Sequence, residues 1–256
     1  MTRIAIVGGA GRMGQILARG LGALDDMDVV ALVDPYEPAE LYGASHRGTV
    51  EDLVSSDVDV VVDFSVAASV AHSARWCAAH GVALVVGTTG LSEADRAELA
   101  AAGERTGVVV AANFAIGAVL AERFAALAAP YFERAEVIEL HHDAKADAPS
   151  GTSIATAHAI AAARRGAGRG PIVDTTTTWT LANSRGADAG DGVRVHSVRL
   201  PGLVAHQEIL FGGPGEGLVI RHDSYDRASF VPGVALAIRT MDRGAGLVEG
   251  LAALLA

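Results

Sequence analysis

The segment ELHHDAKADAPSGTS, at positions 139–153, combines residue types that transfer protons with residue types that bind anions. Its chemistry-bearing residues are, in chain order, His141, His142, Lys145, Ser150, Gly151 and Thr152. The histidines close a predicted strand, the lysine follows in a loop, and the last three residues open a predicted helix. Imidazole and ammonium groups act as acids and bases, and a helix start can bind a carboxylate. The segment therefore predicts a site for an anionic substrate that is protonated during its reaction.

Lys145 is the only lysine in the chain, because the other 19 of its 20 basic residues are arginines. An ammonium group can release its proton when its pKa is lowered, whereas a guanidinium group effectively cannot. This difference favours proton transfer by Lys145, with a solvated surface position as the alternative. Ser150 and Thr152 could simply cap the helix, which is compatible with anion binding. A metal site would need both histidines and Asp143, but adjacent strand residues point to opposite faces, so we expect no metal.

A glycine-rich loop, GGAGRMG, follows the first predicted strand and contains Gly8, Gly11 and Gly14 at G-x-x-G-x-x-G spacing. Glycines at these positions allow a tight turn, a close approach of the backbone to a pyrophosphate, and close packing of helix on strand. The helix start then offers N–H groups to the anion. The loop therefore predicts a dinucleotide site, with a merely tight turn as the alternative.

Asp34 stands at the end of the second predicted strand, 20 residues after Gly14. An acid at this position can bind the adenosine ribose hydroxyls. Its charge would oppose the 2′-phosphate of NADP, and the residue that follows is Pro35 rather than a basic one. We therefore expect NADH to be favoured over NADPH, with Arg12 in the glycine loop able to support some NADPH use. The alternative is that Asp34 only forms a turn before the proline.

Three later strand ends carry small or polar residues. They are DFS at 63–65, GTTG at 87–90 and AANF at 111–114. In an open parallel sheet, ligands collect at the carboxyl ends of the strands. Each segment alone is an ordinary loop, but their joint placement predicts that they border a nicotinamide.

Valine-rich runs alternate with helical patterns over residues 1–112, which is typical of a doubly wound parallel sheet. After position 113 come a helix, a strand, a second helix and three extended segments, and helical segments at 226–241 and 246–256 close the chain. The sequence predicts an α/β fold with a Rossmann-like dinucleotide-binding domain of residues 1–112 plus about 228–256. Residues from about 113 to 227 would form a substrate-binding and oligomerisation domain, an α+β unit with an open mixed sheet whose apolar face another copy would cover.

The composition excludes several classes of protein. The 256 residues carry a formal net charge of −10 with no basic run, which argues against a nucleic-acid partner. The single Cys77 excludes an intrachain disulfide. The start MTRIAIVGGAG has no signal-peptide pattern, and no apolar run is long enough to cross a membrane. We therefore expect a soluble cytoplasmic protein with no membrane partner.

Taken together, GGAGRMG, DFS, GTTG, AANFAIG and above all ELHHDAKADAPSGT resemble the 4-hydroxy-tetrahydrodipicolinate reductase (dihydrodipicolinate reductase) family, in an actinobacterial form. The resemblance extends over essentially the whole chain, and the histidine–lysine segment is its most specific part. It implies a homotetrameric two-domain enzyme of diaminopimelate and lysine biosynthesis. Such an enzyme reduces a cyclic imine dicarboxylate with NADH or NADPH.

The resemblance also implies roles for individual residues. His141 would be the acid/base residue and Lys145 the proton donor. The substrate carboxylates would be bound by His142, Ser150, Gly151 and Thr152. The cofactor would contact Gly8, Gly9, Ala10, Gly11, Arg12, Met13, Asp34, Gly87, Thr88, Thr89, Ala111, Ala112, Asn113 and Phe114.

Two competing hypotheses stand beside this one. The first is a nicotinamide reductase of the same architecture that acts on a different imino or amino acid, such as aspartate. The second is a dinucleotide-binding protein without catalysis, against which the intact His141, Lys145 and 150–152 segment argue. His141 and Lys145 both stay candidates for the group that delivers the proton.

Overall fold

A computed structural model describes residues 1–182, 184–241 and 244–255. Its strands are β1 (Thr2–Val7), β2 (Met27–Val33), β3 (Ser45–Arg47), β4 (Val60–Asp63), β5 (Ala83–Val86), β6 (Gly107–Val110), β7 (Arg134–His141), β8 (Ala187–Asp188), β9 (Arg194–Arg199), β10 (Ala205–Gly213), β11 (Glu216–Ser224) and β12 (Gly246–Glu249). Its helices are α1 (Arg12–Leu21), α2 (Ala67–His80), α3 (Glu93–Gly103), α4 (Ile116–Ala128), α5 (Gly151–Gly166) and α6 (Val231–Arg239).

The chain forms two compact units. The first comprises Met1–Ile116 with Arg227–Ala256, and the second comprises Gly117–Asp226. The cofactor-binding and substrate-binding functions predicted for the two domains stay predictions.

The first unit is built on a seven-stranded sheet in the order β12-β6-β5-β4-β1-β2-β3, in which every pairing is parallel. Every residue of β4 and β5 is buried, as expected of valine-rich strands covered on both faces by helices. The sequence prediction of a Rossmann-like doubly wound sheet is confirmed. Helix α3 is capped by Ser92, whose side chain accepts the N–H of Asp95.

The end of the chain differs from the sequence prediction. A helix over 246–256 is wrong, since Gly246–Glu249 forms β12 and pairs in parallel with β6, and Leu251–Leu254 forms a 3-10 turn. A short apolar run is compatible with a strand or a helix, and the open edge of β6 offers backbone hydrogen bonds to a strand. Ala256, the last residue of that predicted helix, lies outside the described residues.

The second unit contains a five-stranded mixed sheet in the order β11-β10-β7-β9-β8. Strand β7 pairs antiparallel with β10 and parallel with β9, so the predicted mixed sheet is confirmed. Along β7, Ala135, Val137 and Glu139 are buried, and the first two join a core that includes Ile160 of α5 and Ile209 of β10. The period of two places a carboxylate on the core-facing side of the strand.

Candidate active site

The glycine loop in the first unit turns directly from β1 into α1. Gly8 has a φ of +84°, a conformation that favours glycine, and its N–H donates to the Val33 carbonyl at 2.9 Å. A Cβ on Gly14 would lie 2.1 Å from the Gly8 carbonyl oxygen, so helix and loop approach as closely as the sequence predicts. Gly11 is the N-cap of α1 and has no side chain with which to cap it, so an anion can take that place. The remaining predicted pyrophosphate residues at this turn are Gly9, Ala10, Arg12 and Met13.

Asp34 lies next to this loop. Its Oδ2 accepts the N–H of Ala10 at 3.1 Å, and its Oδ1 accepts the N–H of Tyr36 at 3.0 Å. A cavity of about 930 Å³ opens here, lined by residues that include Gly8, Ala10, Gly11, Asp34, Ser65 and Ser69. The structure thus brings the glycine loop and the predicted ribose-binding acid to one cavity, with the volume of a small-ligand site.

The ends of β4 and β5 are joined by the buried carboxylate of Asp63, which is 0% exposed. Its Oδ1 accepts the Ser65 N–H at 3.0 Å, the Ser65 hydroxyl at 2.5 Å and the Thr88 hydroxyl at 3.1 Å. Its Oδ2 accepts the Ser73 hydroxyl at 2.6 Å. Asp63 therefore fixes the loops after two neighbouring strands.

Aromatic packing connects these loops to the end of β6. A Cβ on Gly87 would lie 2.1 Å from the Phe64 ring, and the Phe64 and Phe114 ring centroids are 5.5 Å apart. Phe114 is fully buried, so its ring packs against Phe64 and does not face a ligand. Among the other predicted nicotinamide-side residues, Thr89 and Ala112 are exposed, Gly87 and Asn113 are partly exposed, and Thr88 and Ala111 are buried.

In the second unit, His141 is the last residue of β7 and is held by a buried ion pair. The Glu139 side chain is fully buried, and the Arg199 guanidinium binds both of its oxygens, at 2.7 and 2.8 Å. The Nδ1 of His141 lies 2.5 Å from Oε2 of Glu139. Because an ionised carboxylate accepts but does not donate, the ring donates its Nδ1–H, and the neutral ring keeps a lone pair on Nε2.

The charge states of His141 and Glu139 follow from their surroundings. Burial lowers the pKa of His141 and outweighs the hydrogen bond to Glu139, which raises it, and the charges of Lys145 and Arg199 lower it further. Burial by itself would raise the pKa of Glu139, but hydrogen bonds from Arg199, Ser197 and His141 bring it below its usual value. At pH 7 the site therefore holds an ionised carboxylate beside a neutral imidazole.

Lys145 lies in the loop between β7 and α5. Its Nζ donates to Oδ1 of Asp147 at 2.7 Å, and its side chain is 20% exposed. The loop is fixed by two bonds, since the Lys145 N–H donates to the His142 carbonyl at 3.2 Å and Arg199 donates to the Asp147 carbonyl at 2.8 Å. Arg199 therefore binds both the carboxylate of Glu139 and the lysine loop.

The start of α5 is capped by Ser150. This residue is buried, and its Oγ accepts the N–H of Ser153 at 3.2 Å. Helix capping is one of the two roles that the sequence allows for Ser150. The Ser153 hydroxyl donates in turn to Oε1 of Gln207 at 2.7 Å. Gly151 is exposed and Thr152 partly exposed at this helix start, where the helix dipole favours a carboxylate.

Two protein-family models match the chain: dihydrodipicolinate reductase, N-terminus, over residues 2–114, and dihydrodipicolinate reductase, C-terminus, over residues 117–255. The chain belongs to the dihydrodipicolinate reductase family. A 4-hydroxy-tetrahydrodipicolinate reductase from Nocardia farcinica is 50% identical to it over 252 residues, which cover 97% of this chain and 96% of the relative. The resemblance inferred from the sequence segments is thereby confirmed.

Solved structures agree with this family membership. A dihydrodipicolinate reductase from Paenisporosarcina sp. TG-14, with dipicolinate bound, matches with a TM-score of 0.89 at 40% identity over 99% of each chain. A myo-inositol dehydrogenase from Corynebacterium glutamicum matches at 15% identity with a TM-score of 0.58, over 96% of this chain and 90% of that one. This second likeness shows a shared fold alone.

Sequence reasoning missed several polar residues of this site. They are Glu139, Arg199, Gln207 and Asp63, whose carboxylate accepts hydrogen bonds from several side chains. Glu139 precedes His141 by two positions on a strand, and that shared face is a signal that could have identified it. Arg199 and Gln207 come from β9 and β10, and nothing local in the sequence gives the register of those strands against β7.

Across the three described ranges, no group of three or more His, Cys, Asp or Glu side chains is arranged to hold a metal ion. Burial raises the pKa of the Cys77 thiol, so this cysteine is not a ready nucleophile. Within the same ranges, none of the helices combines the length and the apolar character needed to cross a membrane.

Proposed function

We propose that this chain reduces 4-hydroxy-tetrahydrodipicolinate to tetrahydrodipicolinate with NADH or NADPH, as a step in diaminopimelate and lysine biosynthesis. The observation that carries the proposal is the arrangement after β7 in a member of the dihydrodipicolinate reductase family. There a neutral imidazole, an ammonium group and a helix start occur within one segment, 141–152. A cyclic imine dicarboxylate needs fixed donors for its carboxylates and a proton once hydride has been added.

The residues of the first unit fit a dinucleotide. The turn at Gly8 and the uncapped start of α1 suit a pyrophosphate, and Asp34 in its cavity suits the adenosine ribose. We propose that the backbone at 87–89 and 111–114 borders the nicotinamide. When bound, NADH or NADPH would supply the hydride.

We propose Lys145 as the proton donor. Its ammonium group carries a transferable proton, and Asp147 orients it from 2.7 Å. His141 is neutral at pH 7 with its lone pair on Nε2, so it suits accepting or relaying a proton better than supplying one. The assignment therefore separates the two candidates by charge state.

We propose that the substrate carboxylates are bound by His142 and by the start of α5. Gly151 and Thr152 would donate from the helix terminus, where an anion is stabilised by the dipole. Ser150 would contribute by capping and shaping that terminus, because its hydroxyl already bonds within the protein.

Asp34→Asn is expected to shift the cofactor preference toward NADPH. The variant keeps an acceptor oxygen for the N–H of Ala10, but it removes the charge that would oppose a 2′-phosphate. We expect kcat/KM with NADH to fall roughly tenfold, since the ribose hydroxyls lose their hydrogen bond to a charged carboxylate. We expect kcat/KM with NADPH to rise. Steady-state kinetics with both cofactors measures this. Glu37→Gln, at an exposed acid of the same cavity, is the control and should leave the ratio unchanged. An unaltered ratio in Asp34→Asn would contradict the ribose assignment and the preference for NADH.

The proposed function is tested by coupling the protein to a synthase that makes the substrate from pyruvate and aspartate semialdehyde. Oxidation of NADH or NADPH is followed by the loss of the reduced-nicotinamide absorbance. Turnover that requires the synthase and both of its substrates supports the proposal. Failure with both cofactors overturns it, and NAD-dependent turnover of aspartate alone would favour the rival amino-acid reductase.

We also propose that the protein is a cytoplasmic homotetramer. The single cysteine suits a reducing compartment. An apolar side chain on β11 supports an interface, because Val219 is 58% exposed. Val219 pairs with Leu210 of β10, on the face opposite the core residues Ile209 and Phe211. Light scattering should give four times the mass of one chain, and Val219→Asp should lower that mass. A wild-type mass of a single chain would contradict the tetramer.

A further inference from the structure

The carboxylate of Glu139 connects separate parts of the proposed substrate site within the second unit. Its Oε2 lies 2.5 Å from Nδ1 of His141, and its Oε1 accepts the N–H of Ser150, the cap of α5, at 3.2 Å. Arg199 holds both oxygens and also donates to the Asp147 carbonyl in the lysine loop at 2.8 Å. One buried ion pair therefore touches the histidine, the helix start and the lysine loop.

Burying the Glu139 carboxylate costs desolvation free energy that an apolar side chain at the same position would not. Glu139 follows Ala135 and Val137 on the core-facing side of β7, and a carboxylate there must be fully paired to be tolerated. Arg199 lies directly opposite His141 in the β7–β9 register, which lets its guanidinium bind the Glu139 carboxylate in bidentate geometry. An apolar side chain would serve the core equally well, so packing alone does not account for the charge.

We propose that Glu139, locked in place by Arg199, is the positioning residue of this site: it sets the ring orientation and the tautomer of His141 and ties the strand end to the start of α5. This inference rests on the proposed function, since it concerns the acid–base group of that reaction. A carboxylate that accepts from one ring nitrogen directs the other nitrogen toward the reactants. The same carboxylate keeps the helix start at a fixed distance from the ring.

The charged groups that face His141 predict opposite effects for the two partners. They are Glu139 on its own strand, Lys145 on the following loop and Arg199 on β9. Glu139→Gln keeps the shape but removes the negative charge, so the pKa of His141 should fall further. Arg199→Met removes a positive charge and leaves the carboxylate without its guanidinium partner, so the pKa of His141 should rise. If the pair only filled space, both changes would release the ring into water, and both pKa values would rise toward the ordinary value.

The test is an NMR titration of the histidine rings in the full chain, with the His141 signal assigned by its loss in His141→Asn. We expect the pKa of His141 to move by about 1 in opposite directions in Glu139→Gln and Arg199→Met. Glu136→Gln is the matched control, because Glu136 lies on the same strand and pairs with His196 at 2.8 Å. In that variant the His141 titration should be unchanged. If Arg199→Met does not fold, Arg199→Lys replaces it. Lysine keeps the charge but loses the bidentate geometry, so the pKa of His141 should rise by a smaller amount.

Activity supplies a second readout. Glu139→Gln should lower kcat at least about tenfold with a smaller change in KM, and the acid limb of its kcat/KM profile should move to lower pH. A rise of the His141 pKa in Glu139→Gln overturns the positioning role whatever the reductase assay gives. Conversely, if the two variants show the opposite shifts but the wild-type chain has no reductase turnover, the proposed function is overturned and the positioning of His141 by Glu139 stands.

Discussion

Lys145→Arg should lower kcat by about 10²–10³-fold, while KM for the imine dicarboxylate changes less than about tenfold. Arginine keeps the positive charge and can still pair with Asp147, so the attraction for an anionic substrate is retained. A guanidinium group does not release a proton near neutral pH, so the step that protonates the reduced substrate loses its donor. A large fall in kcat with little change in KM would show that Lys145 donates a proton, because a residue that only neutralises charge is replaced equally well by arginine.

The measurement is steady-state kinetics in the synthase-coupled assay with saturating NADH. Arg165→Lys is a suitable control, because it makes the reverse exchange at an exposed position near the end of α5 and should leave kcat unchanged. Lys145→Gln should lose both kcat and substrate affinity, since it removes the proton and the charge together. Wild-type turnover in Lys145→Arg would show that the proton comes from elsewhere.

Asp63→Ala should lower the free energy of unfolding by about 2–4 kcal/mol and weaken NADH binding. The change removes the acceptor of the Ser73 and Thr88 hydroxyls. These two residues are only 1% and 7% exposed, so water does not replace the lost acceptor. It also releases the Ser65 N–H, so the loops after β4 and β5 lose their common anchor. Because those loops border the proposed nicotinamide position, stability and cofactor affinity should fall together.

Urea unfolding can be followed through Trp76, which is buried in α2 of the first unit. A fluorescence titration with NADH then gives the affinity of the folded variant. Asp57→Ala removes an exposed carboxylate from the same unit and should change stability by less than about 0.5 kcal/mol. If Asp63→Ala matched that control in both measurements, Asp63 would not be the anchor of these loops.

Local signals predict much of this fold. Valine-rich runs identify the central strands, the glycine loop identifies the β1–α1 turn, and Ser92 marks the start of α3, because each pattern reports on a few neighbouring residues. The prediction failed at 246–249, where four residues become a strand only because β6 offers its edge. The local pattern at 246–249 contains no information about β6, because that pairing partner lies more than a hundred residues away in sequence.

The site shows the same division. By itself, the sequence determined which groups can do chemistry in 141–152, since residue types and spacings are local properties. The tertiary structure decided the state of those groups. His141 is neutral chiefly because the fold buries its ring, and it donates from Nδ1 to Glu139. That carboxylate stays ionised because β9 places Arg199, 60 residues away in sequence, against it. Charge and tautomer depend on the field of every neighbour, and only the folded chain determines which neighbours those are.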